Sequence, residues 1–164
     1  MKVRDVMTSD VRTCTRETNL AQVAEIMWTN DIGILPVVDE SRRIVGVITD
    51  RDVCIATGTR HLLASQITAG SVLSGLLFVC TPDDDVKAAL ETMRTQRVRR
   101  VPIVDANGVI QGLLSIDDVA VAAQERGAKT GITFEDVART LKGVAEPSLP
   151  ARIERRQATA AAAG

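Results

Sequence analysis

The sequence predicts an α+β fold: two tandem β-α-β-β-α repeats packed about a pseudo-two-fold axis, plus a C-terminal helix and tail. Three observations predict it. Placing Cys14 on Cys80 sets an offset of 66 that holds without a gap from about residue 2 to residue 122. Between residues 14 and 53 that register gives twelve identities in forty positions, among them Cys14/Cys80, Glu25/Glu91, Met27/Met93, Pro36/Pro102, Gly46/Gly112 and Asp52/Asp118. The differences between copies, such as Val37/Ile103, Val47/Leu113 and Thr49/Ser115, keep size and polarity, as duplicated core sites should. The expected units are residues 1–60, residues 61–125 and an extension over 126–164.

Each copy justifies the same elements in order. A short apolar stretch, Val11 to Cys14 or Leu76 to Cys80, predicts a first strand. Polar residues suited to a helix N-terminus follow, Glu17-Thr18-Asn19 and Asp83-Asp84-Asp85. Leu20, Val23, Ala24 and Met27 then fall at i, i+3, i+4, i+7, and Val86, Ala89, Leu90 and Met93 repeat that spacing, so each helix has one apolar face. The β-branched runs Ile34 to Val38 and Val101 to Val104 end in Asp39 and Asp105 and enter hairpin turns, with Asn107-Gly108 the stronger signal. The return strands, Ile44 to Thr49 and Val109 to Ser115, lead into helices that open with Asp50-Arg51-Asp52-Val53 and Ile116-Asp117-Asp118-Val119. A single such unit leaves an apolar sheet face uncovered, so two units are expected to pack those faces together. Residues 57 to 67, with Gly58 and His61, join the repeats. Gly127 and Gly131 bracket a break after Ala123, and Thr133-Phe-Glu-Asp136 reads as a capping box opening a helix to about Lys142. Pro147 and Pro150 end that helix, and the tail Arg152 to Gly164 is expected to fray or to depend on a partner.

Composition removes several function classes. With 164 residues, 45% apolar and 25% charged, the chain is an ordinary globular one, and its net charge of −1 offers no overall field for nucleic acid or an anionic membrane. Charges run through the N-terminal segment where a signal peptide needs its apolar stretch, and no run approaches a membrane span, so the expected location is cytoplasmic. Cys14, Cys54 and Cys80 are odd in number and far apart, which argues against a disulfide framework or a zinc cluster. His61 is the one histidine, and Trp28, Phe78 and Phe134 are the aromatics. Histidine-centred catalysis and an aromatic nucleic-acid platform have few candidates. A phosphate loop of the Walker type and a nucleophile elbow are missing, and about 40 residues outside the repeats cannot hold a catalytic domain, so no enzyme is expected.

The recurring chemistry is Thr49-x-x-Asp52 and Ser115-x-x-Asp118, each a hydroxyl leaving a strand and a carboxylate in the first turn of the next helix. One reading is plain helix capping. The other is a carboxylate placed to grip a ribose diol beside a strand-to-helix turn, as in dinucleotide folds. The copies differ in cations: Arg100 stands where the first copy has Ile34. Arg97, Arg99 and Arg100 are either a solvated basic cluster, the simpler account of Arg97, or in part a phosphate contact. Trp28, aligned with Arg94 beside the apolar stripe, is read first as an interface residue, with adenine stacking a lesser option.

Leu35-Pro-Val-Val-Asp39 and Val101-Pro-Ile-Val-Asp105, followed by Gly46-Val-Ile-Thr-x-x-Asp-Val53 and Gly112-Leu-Leu-Ser-x-x-Asp-Val119, resemble the cystathionine-β-synthase (CBS) domain family, here as a stand-alone pair of the bacterial type. The opening Asp5-Val-Met-Thr8, echoed by Ser71-Val-Leu-Ser74, belongs to the same resemblance, which spans about residues 2 to 123. It implies a tandem pair, or Bateman module, that binds adenosine-containing ligands in clefts between its repeats and commonly dimerises into a flat disc. Carried over position by position, one cleft would use Ser115 and Asp118 on ribose, Arg100 on phosphate, and Thr15, Ile32, Gly33 and Leu113 around the adenosine. The opposite cleft would use Val47, Thr49, Asp52, Thr81, Val98 and Arg99; Ile34 removes its matching phosphate contact, so either Arg99 substitutes or that site prefers a less charged ligand, and unequal sites are expected.

The expected function is a regulatory module that senses an adenine nucleotide or related adenosyl compound, with no cofactor required, a homodimer, and a protein partner whose identity the sequence does not carry. AMP, ADP, ATP, S-adenosylmethionine and NAD(H) all fit one arginine. The alternative is a ligand-free interaction dimer that uses helix 133 to 142 and the tail as its contact surface.

Overall fold

The computed structural model describes residues 1–73, 77–124 and 131–146. The expectations for Ser74, Leu76, Gly127, Pro147, Pro150 and the tail from Arg152 lie outside the described residues. Repeat 1 contains α1 (Leu20–Thr29), β1 (Ile34–Val38), β2 (Ile44–Thr49) and α2 (Asp50–Thr59). Repeat 2 contains α3 (Val86–Gln96), β3 (Arg100–Val104), β4 (Ile110–Ser115) and α4 (Ile116–Ala122), and α5 (Phe134–Ala145) follows. This is the expected mixture of helix and strand, with two small antiparallel sheets. Their registers match across the repeat, since Ile34 faces Thr49 as Arg100 faces Ser115.

Local chemistry sets the boundaries. The Asn19 side chain accepts the Gln22 N–H (3.0 Å) at the start of α1, and the Asp85 carboxylate accepts the Lys87 N–H (2.8 Å) at the start of α3. The predicted stripes face inward: Leu20, Val23 and Met27 in α1 and Val86, Ala89, Leu90 and Met93 in α3 are buried. In the hairpins, Asp39 accepts the Ser41 and Arg43 N–H groups, and Asp105 those of Asn107 and Val109, as Asx turns. Gly108 takes the positive φ (79°) that this turn requires, at a position where repeat 1 holds Arg42 (60°). The two turns are tied tip to tip: Ile44 N–H donates to the Gly108 carbonyl (3.0 Å) and Ile110 N–H to that of Arg42 (3.2 Å). Residues 44 and 110, like 42 and 108, are 66 apart, so the pseudo-two-fold axis passes between these bonds.

The first strand of each repeat is shorter than the sequence predicts. Cys14 makes a single parallel bridge to Val37, and Cys80 one to Ile103. Cys14 donates to the Pro36 carbonyl (3.1 Å) and accepts from Val38 N–H (2.9 Å), and Cys80 does the same with Pro102 and Val104. The next rung toward the N-terminus would need an N–H from Pro36 or Pro102. Proline has none, so the parallel ladder stops after one residue.

Each core is completed from across the sequence. Ile67 and Ala69 are buried in the repeat 1 cluster with Leu20, Leu35 and Ile48, whereas Val3 is buried in the repeat 2 cluster with Met93, Ile103 and Leu114. Matching backbone bonds fix both crossings: Ala69 N–H to Thr18 and Leu20 N–H to Ile67 on one side, Val3 N–H to Asp84 and Val86 N–H to Met1 on the other. The N-terminal segment therefore belongs to the second core, and the residues after α2 belong to the first.

α5 packs along α3, with Ile132 and Val137 buried in the repeat 2 core. Its cap is the predicted one: Thr133 Oγ1 accepts the Asp136 N–H (3.2 Å), and Asp136 accepts from Thr133 N–H and hydroxyl (both 2.9 Å). Asp136 also lies 3.7 Å from Lys87 Nζ on α3. The bonds from Thr133, with Lys87 beside them, hold the Asp136 carboxyl below its usual value. Because the folded value lies below the unfolded one of about 3.9, this stabilisation is fully present above that value and is lost as pH falls through the folded value. Thermal denaturation between pH 7 and pH 2 should show this acid-dependent loss in the native chain. Asp136→Asn should be less stable at neutral pH and lack that component.

Candidate functional site

Two strand-to-helix turns present the recurring hydroxyl and carboxylate. At the end of β4, Ser115 Oγ accepts the Asp118 N–H (3.0 Å), while Asp118 Oδ2 accepts the Ser115 N–H (2.8 Å) and hydroxyl (2.6 Å). At the end of β2, Thr49 and Asp52 repeat the arrangement at 3.2, 2.9 and 2.6 Å. Capping therefore occupies both hydroxyl hydrogens and one oxygen of each carboxylate. The other oxygen, Oδ1 of Asp118 or Asp52, has no hydrogen bond among the described residues. Ser115 is buried and Asp118 half-buried at the head of α4, where the N-terminal partial positive charge favours an anion.

A cleft of about 340 Å³ opens beside Asp118 and draws its walls from both repeats. Repeat 2 contributes Arg100, Leu113, Ser115 and Asp118, and repeat 1 contributes Asn30, Ile32 and Ile34. The segment Thr8 to Arg12 closes it, held to β4 by reciprocal backbone bonds between Thr8 and Leu113 (2.9 Å each). Of the residues expected here, the structure brings together Ile32, Arg100, Leu113, Ser115 and Asp118. Thr15 and Gly33 do not line this cleft. Thr15 is exposed in a turn where its N–H donates to Thr18 Oγ1 (3.0 Å), which points the chain toward α1. The Gly33 carbonyl accepts Asp50 N–H (3.2 Å), which extends the β1–β2 hairpin by one rung. Gly33 lines a groove of about 440 Å³ with Ala24, Met27, Trp28, Asp31, Asp50, Val53 and Cys54, and this groove shares Ile32 with the cleft. Trp28 stands 89% exposed at that groove.

Ile34, at the position matching Arg100, is a wall of the same cleft as Arg100 and adds apolar surface there. The Arg100 guanidinium lies 3.6 Å from the exposed Asp117 carboxylate, a contact that an incoming anion can replace at little cost. Sequence reasoning also missed Thr8, Asp10, Val11, Arg12 and Asn30. Arg12 Nε donates to Asn30 Oδ1 (3.1 Å) across the cleft wall. The Asp5-Val-Met-Thr8 motif was visible as part of the repeat, but not the crossing that carries it to β4.

The second set is drawn from both repeats. Val47 and Thr49 lie on β2, and Asp52 in the first turn of α2. Val98 is half-buried against the repeat 2 core, while Arg99 and Thr81 are exposed. By the offset of 66, the positions matching Thr8 and Asp10 are 74 and 76, outside the described residues. Cys14 and Cys80 are buried, and burial pushes the Cys14 thiol up to about 11 and raises that of Cys80, so neither suits thiolate chemistry. Among the described residues, no cluster of His, Cys, Asp and Glu could hold a metal ion, and no helix is long and apolar enough to cross a membrane.

The CBS domain model matches the chain twice, over residues 3–57 and 71–125. The chain belongs to the CBS domain family, as a tandem pair. It is 31% identical over 119 residues to the CBS domain-containing protein YhcV of Bacillus subtilis, covering 73% of this chain and 83% of YhcV. Solved CBS pairs share its fold. The pair of protein MJ0100, crystallised with 5-methylthioadenosine and S-adenosyl-L-methionine, superposes with a TM-score of 0.68 at 22% identity, over 74% of this chain and 94% of that one. CBSX2 in complex with AMP gives 0.65 at 24% identity, over 74% and 94%.

Proposed function

We propose that this chain is a non-catalytic regulatory module that senses an adenosine-containing ligand in the cleft between its repeats. The observation that carries the reading is the cleft beside Asp118, where a carboxylate oxygen free of the cap, a guanidinium and an apolar wall meet in one place. Asp118 Oδ1 accepts from the ribose hydroxyls, Arg100 faces phosphate, and Ile32, Ile34 and Leu113 contact the base. Ser115 acts mainly by holding the carboxylate, since its hydroxyl hydrogen is already donated to Asp118. The adenosyl ligands bound by MJ0100 and CBSX2 support the ligand class. The Thr49 and Asp52 cleft is a second, weaker site, with Arg99 as its available cation. Occupancy changes the relative angle of the repeats at residues 1–60 and 61–125, or of two protomers in a homodimer, and a cytoplasmic protein partner reads that change. A ligand shifts only states that it binds unequally.

The test is a thermal shift of the purified chain against AMP, ADP, ATP, S-adenosylmethionine and NAD(H). A ligand at 100 times its dissociation constant adds about 2.7 kcal/mol, a rise of roughly 5 to 11 °C at 2 to 4 °C per kcal/mol. A flat response across the panel at millimolar concentration would overturn the reading in favour of a ligand-free interaction module.

A further inference from the structure

α5 lies outside both segments that match the CBS model and carries two apolar faces. One is the inner face that seats Val137 on the repeat 2 core. The other is turned to solvent: Phe134, Ala138, Leu141 and Ala145 are all exposed, Phe134 by 54% and Leu141 by 40%. Their spacing of four, three and four residues is that of a two-helix seam, one straight apolar line along the helix. Isolated exposed apolar residues need no explanation, but a continuous line of them marks a contact surface.

The charges beside the line indicate the partner. At 100° per residue, Glu135 and Lys142 fall on the same flank of the seam, Glu135 at one end of the helix and Lys142 toward the other. In an antiparallel pair of identical helices each flank faces the same flank of its mate. Glu135 of one copy then meets Lys142 of the other, twice about the two-fold axis. In a parallel pair the charged flank would face the flank that already packs on α3. Arg139 lies farther round and is engaged by Glu135 within the helix (3.1 Å). We infer that α5 pairs antiparallel with α5 of a second copy of this chain, joining two CBS pairs through a helix outside the CBS repeats. This rests on the homodimer reading above and gives it a surface.

Sedimentation velocity of the full chain tests it. The native chain should sediment as a dimer, and Leu141→Glu should raise the dimer dissociation constant by about 30-fold or more, the size of a central interface residue. Leu141 is exposed, so melting temperature and circular dichroism should confirm that the variant folds. Glu135→Lys and Lys142→Glu should each be monomeric alone, because like charges then face each other. Their equimolar mixture should restore a dimer with one chain of each kind. A dimer that survives Leu141→Glu, one that Trp28→Glu dissociates while Leu141→Glu does not, or a charge-swap mixture that stays monomeric overturns the α5 contact and leaves the homodimer reading intact. A native chain that is monomeric throughout overturns both.

Discussion

Asp118→Ala should abolish the ligand-induced rise in melting temperature while leaving a folded protein. The variant loses two things that can be measured apart. Removing the capping carboxylate costs on the order of 1 kcal/mol, a fall of roughly 2 to 4 °C without ligand. Removing the ribose acceptor eliminates the roughly 5 to 11 °C increment at saturating ligand. The chain carries its own control, because Thr133 and Asp136 form the same cap on α5, away from the cleft. Asp136→Ala should lower the baseline and keep the full increment. Asp52→Ala removes the matching carboxylate of the other repeat and should reduce the increment only partly. If Asp52→Ala, rather than Asp118→Ala, erases the response, the principal site lies in the other cleft. If both keep it, the ligand does not use these carboxylates.

The repeat was legible because duplication supplies its own alignment: placing Cys14 on Cys80 aligns the helix stripes, the hairpin turns and the paired Thr49/Asp52 and Ser115/Asp118 caps, while the Thr133/Asp136 cap was legible from its own local motif. Part of the candidate site was legible through the family resemblance, since Ser115, Asp118, Arg100 and Leu113 belong to one hairpin and its following helix. What the sequence did not carry was how segments cross. Thr8 and Arg12 reach the cleft because the N-terminal segment completes the second core, and no local pattern distinguishes that from completing the first. Thr15 and Gly33 were carried over by alignment alone. Thr15 lies exposed in the turn before α1, and Gly33 lines the adjoining groove that shares Ile32 with the cleft. The first strand is cut short for a reason present in the sequence: Pro36 and Pro102 cannot extend a parallel ladder.

Gly112→Ala and Gly46→Ala occupy matching positions in the two repeats and should differ sharply. A Cβ at Gly112 would stand 2.8 Å from the Thr8 carbonyl oxygen and 2.8 Å from Met7 Sδ, whereas one at Gly46 would meet the Leu73 Cδ1 methyl at 3.1 Å. Leu73 is half-buried and can change rotamer. The Thr8 backbone cannot retreat without breaking its two 2.9 Å bonds to Leu113. Gly112→Ala should therefore cost about 1 to 3 kcal/mol, as overpacking does, lowering the melting temperature by roughly 2 to 12 °C. Gly46→Ala should cost less than about 1 kcal/mol. Because Thr8 and Leu113 both line the cleft, the Gly112 variant should also bind ligand more weakly, and the Gly46 variant should not. Equal losses of stability in the two variants would mean that the Thr8 bridge yields as readily as a leucine side chain. The N-terminal segment would then be too loosely held to serve as a wall of the site.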